Sequence, residues 1–146
     1  MHGLISAIKV CLKDKLFITG GRAGRAEFWW FTLFAIAVRV VFLPLNTIQY
    51  LGIIYSVINF IVFVGHYTVM VRRLHDTGRS GLHIGPMLVG LLVSFAGFVI
   101  VMPLAVTVGE IIAGLGALYV LVLCVLKGDA GDNLFGPPSP LPSKAY

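Results

Sequence analysis

Residues 51–71, LGIIYSVINFIVFVGHYTVMV, run directly into Arg72-Arg73-Leu74-His75-Asp76-Thr77-Gly78-Arg79-Ser80-Gly81, and this junction decides the fold. The run carries no Asp, Glu, Lys or Arg, and it is close to the ~20 residues a helix needs to cross ~30 Å of hydrocarbon. Paired arginines stop it, and Gly78 and Gly81 turn the chain before the next apolar run.

Three further runs of similar length occupy about 28–48, 83–102 and 107–126. Pro44 and Asn46 end the first, and a break near Tyr50 and Gly52 separates it from the second. Pro103 divides the last two, and Lys127-Gly128 closes the series. The expected fold class is all-α: a single membrane domain over residues 1–146, an integral membrane bundle of four transmembrane helices with a short N-terminal amphipathic helix.

Composition agrees. Of 146 residues, 58% are hydrophobic and 12% charged, whereas soluble domains run near half apolar and about a quarter charged. So few polar residues cover only small caps, and the remaining surface must face lipid. The net charge of +5 and pI near 9.5 do not indicate nucleic acid, because the basic residues lie between apolar runs rather than along one stripe. Cys11 and Cys124 are far apart and form no CxxC motif, so no disulfide framework is expected. Lys9, Lys13 and Lys15 interrupt the early apolar residues, unlike a cleaved signal.

Orientation follows from the cations. Lys9, Lys13, Lys15, Arg22 and Arg25 precede the first run, Arg72, Arg73 and Arg79 follow the second, and Lys127 and Lys144 follow the fourth. The connections near 46–50 and 103–106 carry none. This bias places both termini in the cytoplasm. It also leaves no outer domain, so any chemistry belongs to the cytoplasmic face or the bundle interior. Arg22, Arg25 and Glu27 leading into Phe28-Trp29-Trp30 look like a span entering from that interface.

Within residues 1–20, Leu4, Ile5, Ile8, Leu12 and Leu16 share a helical face that suits either the membrane interface or packing on the bundle. The tail, 127–146, is rich in Gly and Pro and is expected to be irregular or partly disordered.

Arg22, Arg25, Arg72, Arg73, His75, Asp76 and Arg79 form the candidate binding surface. Arginine forks hold phosphate through two hydrogen bonds, and Gly-rich turns aim backbone N–H groups at anions. Anionic lipid head groups or a protein partner fit that chemistry. The alternative is that the arginines set topology and pair internally with Glu27 and Asp76, tying the loop to the first span. His75 and Asp76 are too poorly aligned as helix-end neighbours to make a convincing general base. No Ser-His-Asp or Cys-His constellation supports catalysis. His66, His75 and His83 lack metal spacing, Asp129 with Asp132 is not a calcium loop, and no cofactor is indicated.

Arg39 stands near the middle of the first run, where a central Arg costs roughly 2.5–3.5 kcal/mol on insertion scales. Glu110 is the one acidic residue within an apolar run after it and is its natural partner. Thr107-Val108-Gly109-Glu110 also reads as a capping box at the start of the fourth helix. Gly109, Ala113 and Ala117, with Gly90 and Ser94, recur at the spacing that lets helices approach closely, within the chain or in a homo-oligomer.

GRAGRAEFWWF at 21–31, RRLHDTGRSG at 72–81 and DNLFGPP at 132–138 together resemble the signatures of domain-of-unknown-function family 805, small bacterial inner-membrane proteins. The resemblance spans nearly the whole chain and implies a multi-pass helical bundle with no assigned activity. Its patterned positions fall on Gly21, Arg22, Arg25, Phe28, Trp29, Arg72 to Asp76, Gly78, Ser80 and Gly81, then Asn133, Phe135, Gly136 and Pro137. Leu82 stands where an aromatic is usual, Leu134 where a basic residue is common, and Pro138 replaces an acidic one.

The functional expectation is a non-enzymatic membrane protein whose basic cytoplasmic face binds lipid head groups or a partner. The alternative is a small transporter or channel subunit using Arg39, Glu110 and His66. A lipid-directed enzyme using His75 and Asp76 ranks third.

Overall fold

The computed structural model describes residues 2–48 and 50–139. Pro140–Tyr146, including Lys144 and the end of the expected tail, lie outside the described residues. Helix α1 (His2–Lys9) passes into a π-helical turn at Val10–Asp14. Four long helices follow: α2 (Arg25–Phe42), α3 (Leu51–Asp76), α4 (Gly85–Val99) and α5 (Pro103–Val125). Short 3-10 turns at Leu43–Thr47 and Gly81–Ile84 extend α2 and precede α4. With those turns included, all four have the length and apolar content of membrane spans.

Helices α2 and α5 begin earlier than the apolar runs suggest, and α3 runs deeper into its motif. Helix α3 continues through Arg72, Arg73 and His75 to Asp76, because these side chains find partners without leaving the helix. Helix α5 starts at Pro103, whose fixed φ and missing N–H suit a first helical position. Thr107 therefore lies inside the helix, its hydroxyl donating to the Pro103 carbonyl at 3.1 Å, and the capping box at Thr107–Glu110 does not form.

Packing is uneven. Helices α4 and α5 form a tight hairpin in which small residues replace side-chain contact with backbone contact. A methyl group at Gly90 would stand 2.2 Å from the Ala113 amide nitrogen, and one at Gly109 2.3 Å from that of Ser94. Gly116, rather than the expected Ala117, supplies the next close approach, against Met87. Three residues, Ile100–Met102, close this hairpin, and Val101 turns the corner with φ of 55°.

Helices α2 and α3 form the second hairpin, and the N-terminal segment packs across it rather than lying apart from the bundle. Ala7 and Cys11 are buried, while Ile5 remains exposed. Gly65 provides the seat: a methyl group there would meet Phe31 at 2.9 Å and Leu12 at 3.2 Å. The buried core clusters toward the end carrying the three motifs, around Phe28, Phe31, Val69, Leu74, Ile84 and Leu123.

Candidate functional site: the motif end of the bundle

Asp76, the last residue of α3, organises this end. Its carboxylate accepts from Arg22 Nε at 2.9 Å through one oxygen and from Arg73 Nη1 through the other. The two arginines then reach different parts of the chain. Arg73 Nε donates to the Cys124 carbonyl at 3.0 Å and Nη2 donates to the carbonyl of Leu126. Those are the carbonyls that the end of α5 leaves without helical partners, and a cation suits the negative end of the helix dipole.

Arg22 is the hub. A guanidinium carries five N–H donors, and here they serve five acceptors. Besides the carboxylate of Asp76, they are the carbonyls of Gly131 at 2.7 Å, Gly136 at 3.3 Å, Asp76 at 3.4 Å and Asp129 at 2.5 Å. The tail through Ser139 is consequently held against the bundle, with the irregular backbone expected of it and without helix or strand. The low Gly/Pro burial capacity that suggested disorder is offset by hydrogen bonds to backbone carbonyls, which need no tail side-chain charge. Leu134 and Pro138 therefore cost this arrangement nothing.

His75 and Asn133 complete the strap. The His75 ring stacks on Phe135 with centroids 3.9 Å apart, and its Nδ1 lies 3.2 Å from the Gly21 carbonyl oxygen. Asn133 Nδ2 donates to the His75 carbonyl at 2.9 Å and to Asp129 at 2.8 Å, while its own Oδ1 accepts from the Phe135 amide. All three sequence motifs thus meet in one knot.

Arg72 points the other way, toward the start of α2 and the π-helical turn at Val10–Asp14. It pairs with Glu27 at 2.5 Å and lies 3.7 Å from Cys11 Sγ, with its backbone carbonyl accepting from the Ala23 amide at 3.0 Å. Its Nε is buried with no hydrogen-bond partner among the described residues. Burial, reinforced by the nearby Glu27 carboxylate, pushes the Cys11 thiol up to about 12, so it stays protonated. The internal pairs with Glu27 and Asp76 thus occupy Arg22, Arg72 and Arg73.

What remains available is different. Arg25 and Lys127 are exposed, Arg25 donating through Nε alone to the Leu126 carbonyl at 3.3 Å. Together with Arg73, Asp76, Asp129 and Ser139 they line a recess of about 550 Å³. Arg79 is half-buried and donates to the Thr77 carbonyl. Lys127 was not among the expected site residues. Its place after α5 gave it only a topological reading, and the fold of the tail brings it to the recess.

Arg39 and Glu110 do not pair. Among the described residues Arg39 makes no ion pair or side-chain hydrogen bond, and Glu110 is exposed. The reason is the rotation of α5: its Gly109–Ala113–Gly116 face is committed to α4, which turns Glu110 away from α2. Arg39 instead lines a cavity of about 290 Å³ between the hairpins, with Thr32, His66, Met87 and Val120. The Thr32 hydroxyl donates to the Phe28 carbonyl at 2.8 Å and lies 3.1 Å from His66 Nε2.

No solved structure matches this chain. It is 32% identical over 124 residues to the inner membrane protein YhaI of Escherichia coli K12, covering 80% of each chain, and equally to YhaI of Escherichia coli O157:H7. Residues 16–137 match the family described as "Protein of unknown function (DUF805)", and all three motifs that form the knot fall within or at the edge of that match. The chain is a four-span membrane protein and belongs to the DUF805 family.

Proposed function

We propose that this protein is a non-catalytic component of the bacterial inner membrane, with both termini in the cytoplasm, whose basic end binds the phosphate of anionic lipid head groups. The observation that carries the reading is the exposed pair Arg25 and Lys127 on the recess beside the knot. Asp76 is already neutralised by Arg22 and Arg73, and the remaining carboxylate of the lining, Asp129, is outnumbered by Arg25 and Lys127. The recess therefore offers cations on a rigid frame.

Its depth is that of head groups. Trp29 and Trp30, one turn beyond Arg25, are partly exposed, as aromatic side chains at a membrane–water interface are. Lys9 and Lys13 are exposed near the same end and add to its positive field. Each such cation near an anionic surface contributes about 1 kcal/mol. The cation bias supports the cytoplasmic orientation.

The test is native mass spectrometry of protein in neutral detergent titrated with phosphatidylglycerol or phosphatidylcholine. Phosphatidylglycerol adducts are expected to dominate, and the double variant R25Q/K127Q to lose most of that preference while unfolding at an unchanged temperature. Equal retention of both lipids by the wild type would remove the proposal.

A further inference from the structure

The cavity between the hairpins runs from the level of Phe28 and Cys124, beside the basic end, inward to Arg39. Arg39 lies fourteen residues along α2 from Arg25, about 21 Å at ~1.5 Å per residue. A guanidinium with no partner among the described residues at that level is costly, and the usual relief is to snorkel toward the nearer interface. Here it lines the cavity instead, alongside Thr32 and His66. The remaining wall is apolar and includes Phe63, Leu91 and Leu121, each also exposed on the outer surface of the bundle. The site is therefore a greasy slot open to the bilayer with one fixed positive charge inside.

We propose that this slot binds a membrane-borne monocarboxylate of the free fatty acid class, its carboxylate paired with Arg39 and its chain lying along the apolar wall. Depth selects the carboxylate. A phospholipid phosphate is permanently charged and stays outside the ~30 Å hydrocarbon layer. A carboxylic acid sheds its charge to enter hydrocarbon and regains it beside a cation. Size points the same way: about 290 Å³ is at the small end for ligand sites, room for one chain rather than a diacyl lipid. The planar fork of Arg39 suits a bidentate carboxylate.

The experiment is thermal unfolding in dodecyl maltoside at pH 8 with dodecanoate, dodecanol or dodecyl phosphate added. Dodecanoate should raise Tm by about 4 °C near saturation, and the other two by less than half of that. R39Q should abolish the dodecanoate shift. L91W, which fills the slot and leaves Arg39 in place, should abolish it too and decides the matter if R39Q does not fold. R25Q/K127Q should keep it. An equal shift with dodecanol, a larger one with dodecyl phosphate, persistence in L91W, or loss in R25Q/K127Q would each overturn the proposal. The last result would relocate binding to the basic end.

Discussion

Gly128 lies so close to Asp76 that a methyl group on it would stand 2.0 Å from the carboxylate oxygen Oδ2. The tail passes over the end of α3 with no room for a side chain, and Asp129 N–H bonds the Asp76 carbonyl at 2.8 Å immediately afterwards. G128A must displace either the tail or the carboxylate that holds Arg22 and Arg73. Overpacking and a broken buried pair each cost a few kcal/mol, so a loss of about 3 kcal/mol is expected. G131A is the control: a methyl group there meets nothing within 4 Å, and its effect should stay within about 0.5 kcal/mol. Thermal unfolding of the two variants in detergent checks the difference.

Arg22 holds the tail by its fork rather than by its charge. A lysine at this position keeps the charge but offers three donors from one point and cannot serve the carbonyls of Asp129, Gly131 and Gly136 together. R22K should release the tail while the four spans stay inserted. Limited proteolysis is expected to cut the R22K protein after residue 127 at least about tenfold faster than the wild type. Equal cutting rates would show that the strap is held elsewhere. F135A, which removes the stack on His75, should give a smaller effect in the same direction.

Cys11 should be inert in the folded protein. It is fully buried, and burial with Glu27 beside it raises its pKa to about 12. The folded state therefore holds this proton to higher pH than the unfolded chain does, so the associated stability is complete below pH 9 and is lost as pH rises from there toward 12. C11S should flatten that alkaline decline. Maleimide should leave Cys11 unlabelled at pH 7 until the protein is denatured.

The same burial makes introduced cysteines clean reporters of orientation. Lys13 and Thr47 are exposed at opposite ends of the bundle. In intact cells a membrane-impermeant maleimide should label T47C and spare K13C, and in inverted vesicles the pattern should reverse. The opposite pattern would place the basic end outside.

Val101 carries a φ of 55° at the α4–α5 corner, a conformation in which a β-branched residue is strained. The Met102 amide closes this turn by donating to the Gly97 carbonyl at 2.8 Å, so the corner is set by the close packing of the two helices. V101G should stabilise the protein by about 0.5–1 kcal/mol, readable as a raised unfolding temperature.

The small-residue spacing of α4 and α5 was legible because close approach needs the same face on every turn. Gly90, Gly109 and Ala113 meet within one hairpin for that reason. The capping box was misleading because Pro103 opens α5 a full turn earlier. Arg39 and Glu110 were paired by elimination, and no sequence pattern reports the rotation of one helix about its axis.

Hydrophobic length alone dictated four spans, since crossing a bilayer is a one-dimensional requirement met by consecutive residues. The motif stretches likewise marked, by composition, the end where charge collects. Which of those charges are consumed only the tertiary structure decided. Arg22 reaches Asp76 across 54 residues and Asp129 across 107, and such pairings depend on where helix ends converge rather than on local order along the chain. That convergence buries three arginines, leaves Arg25 and Lys127 outward, and turns Arg39 into an apolar slot.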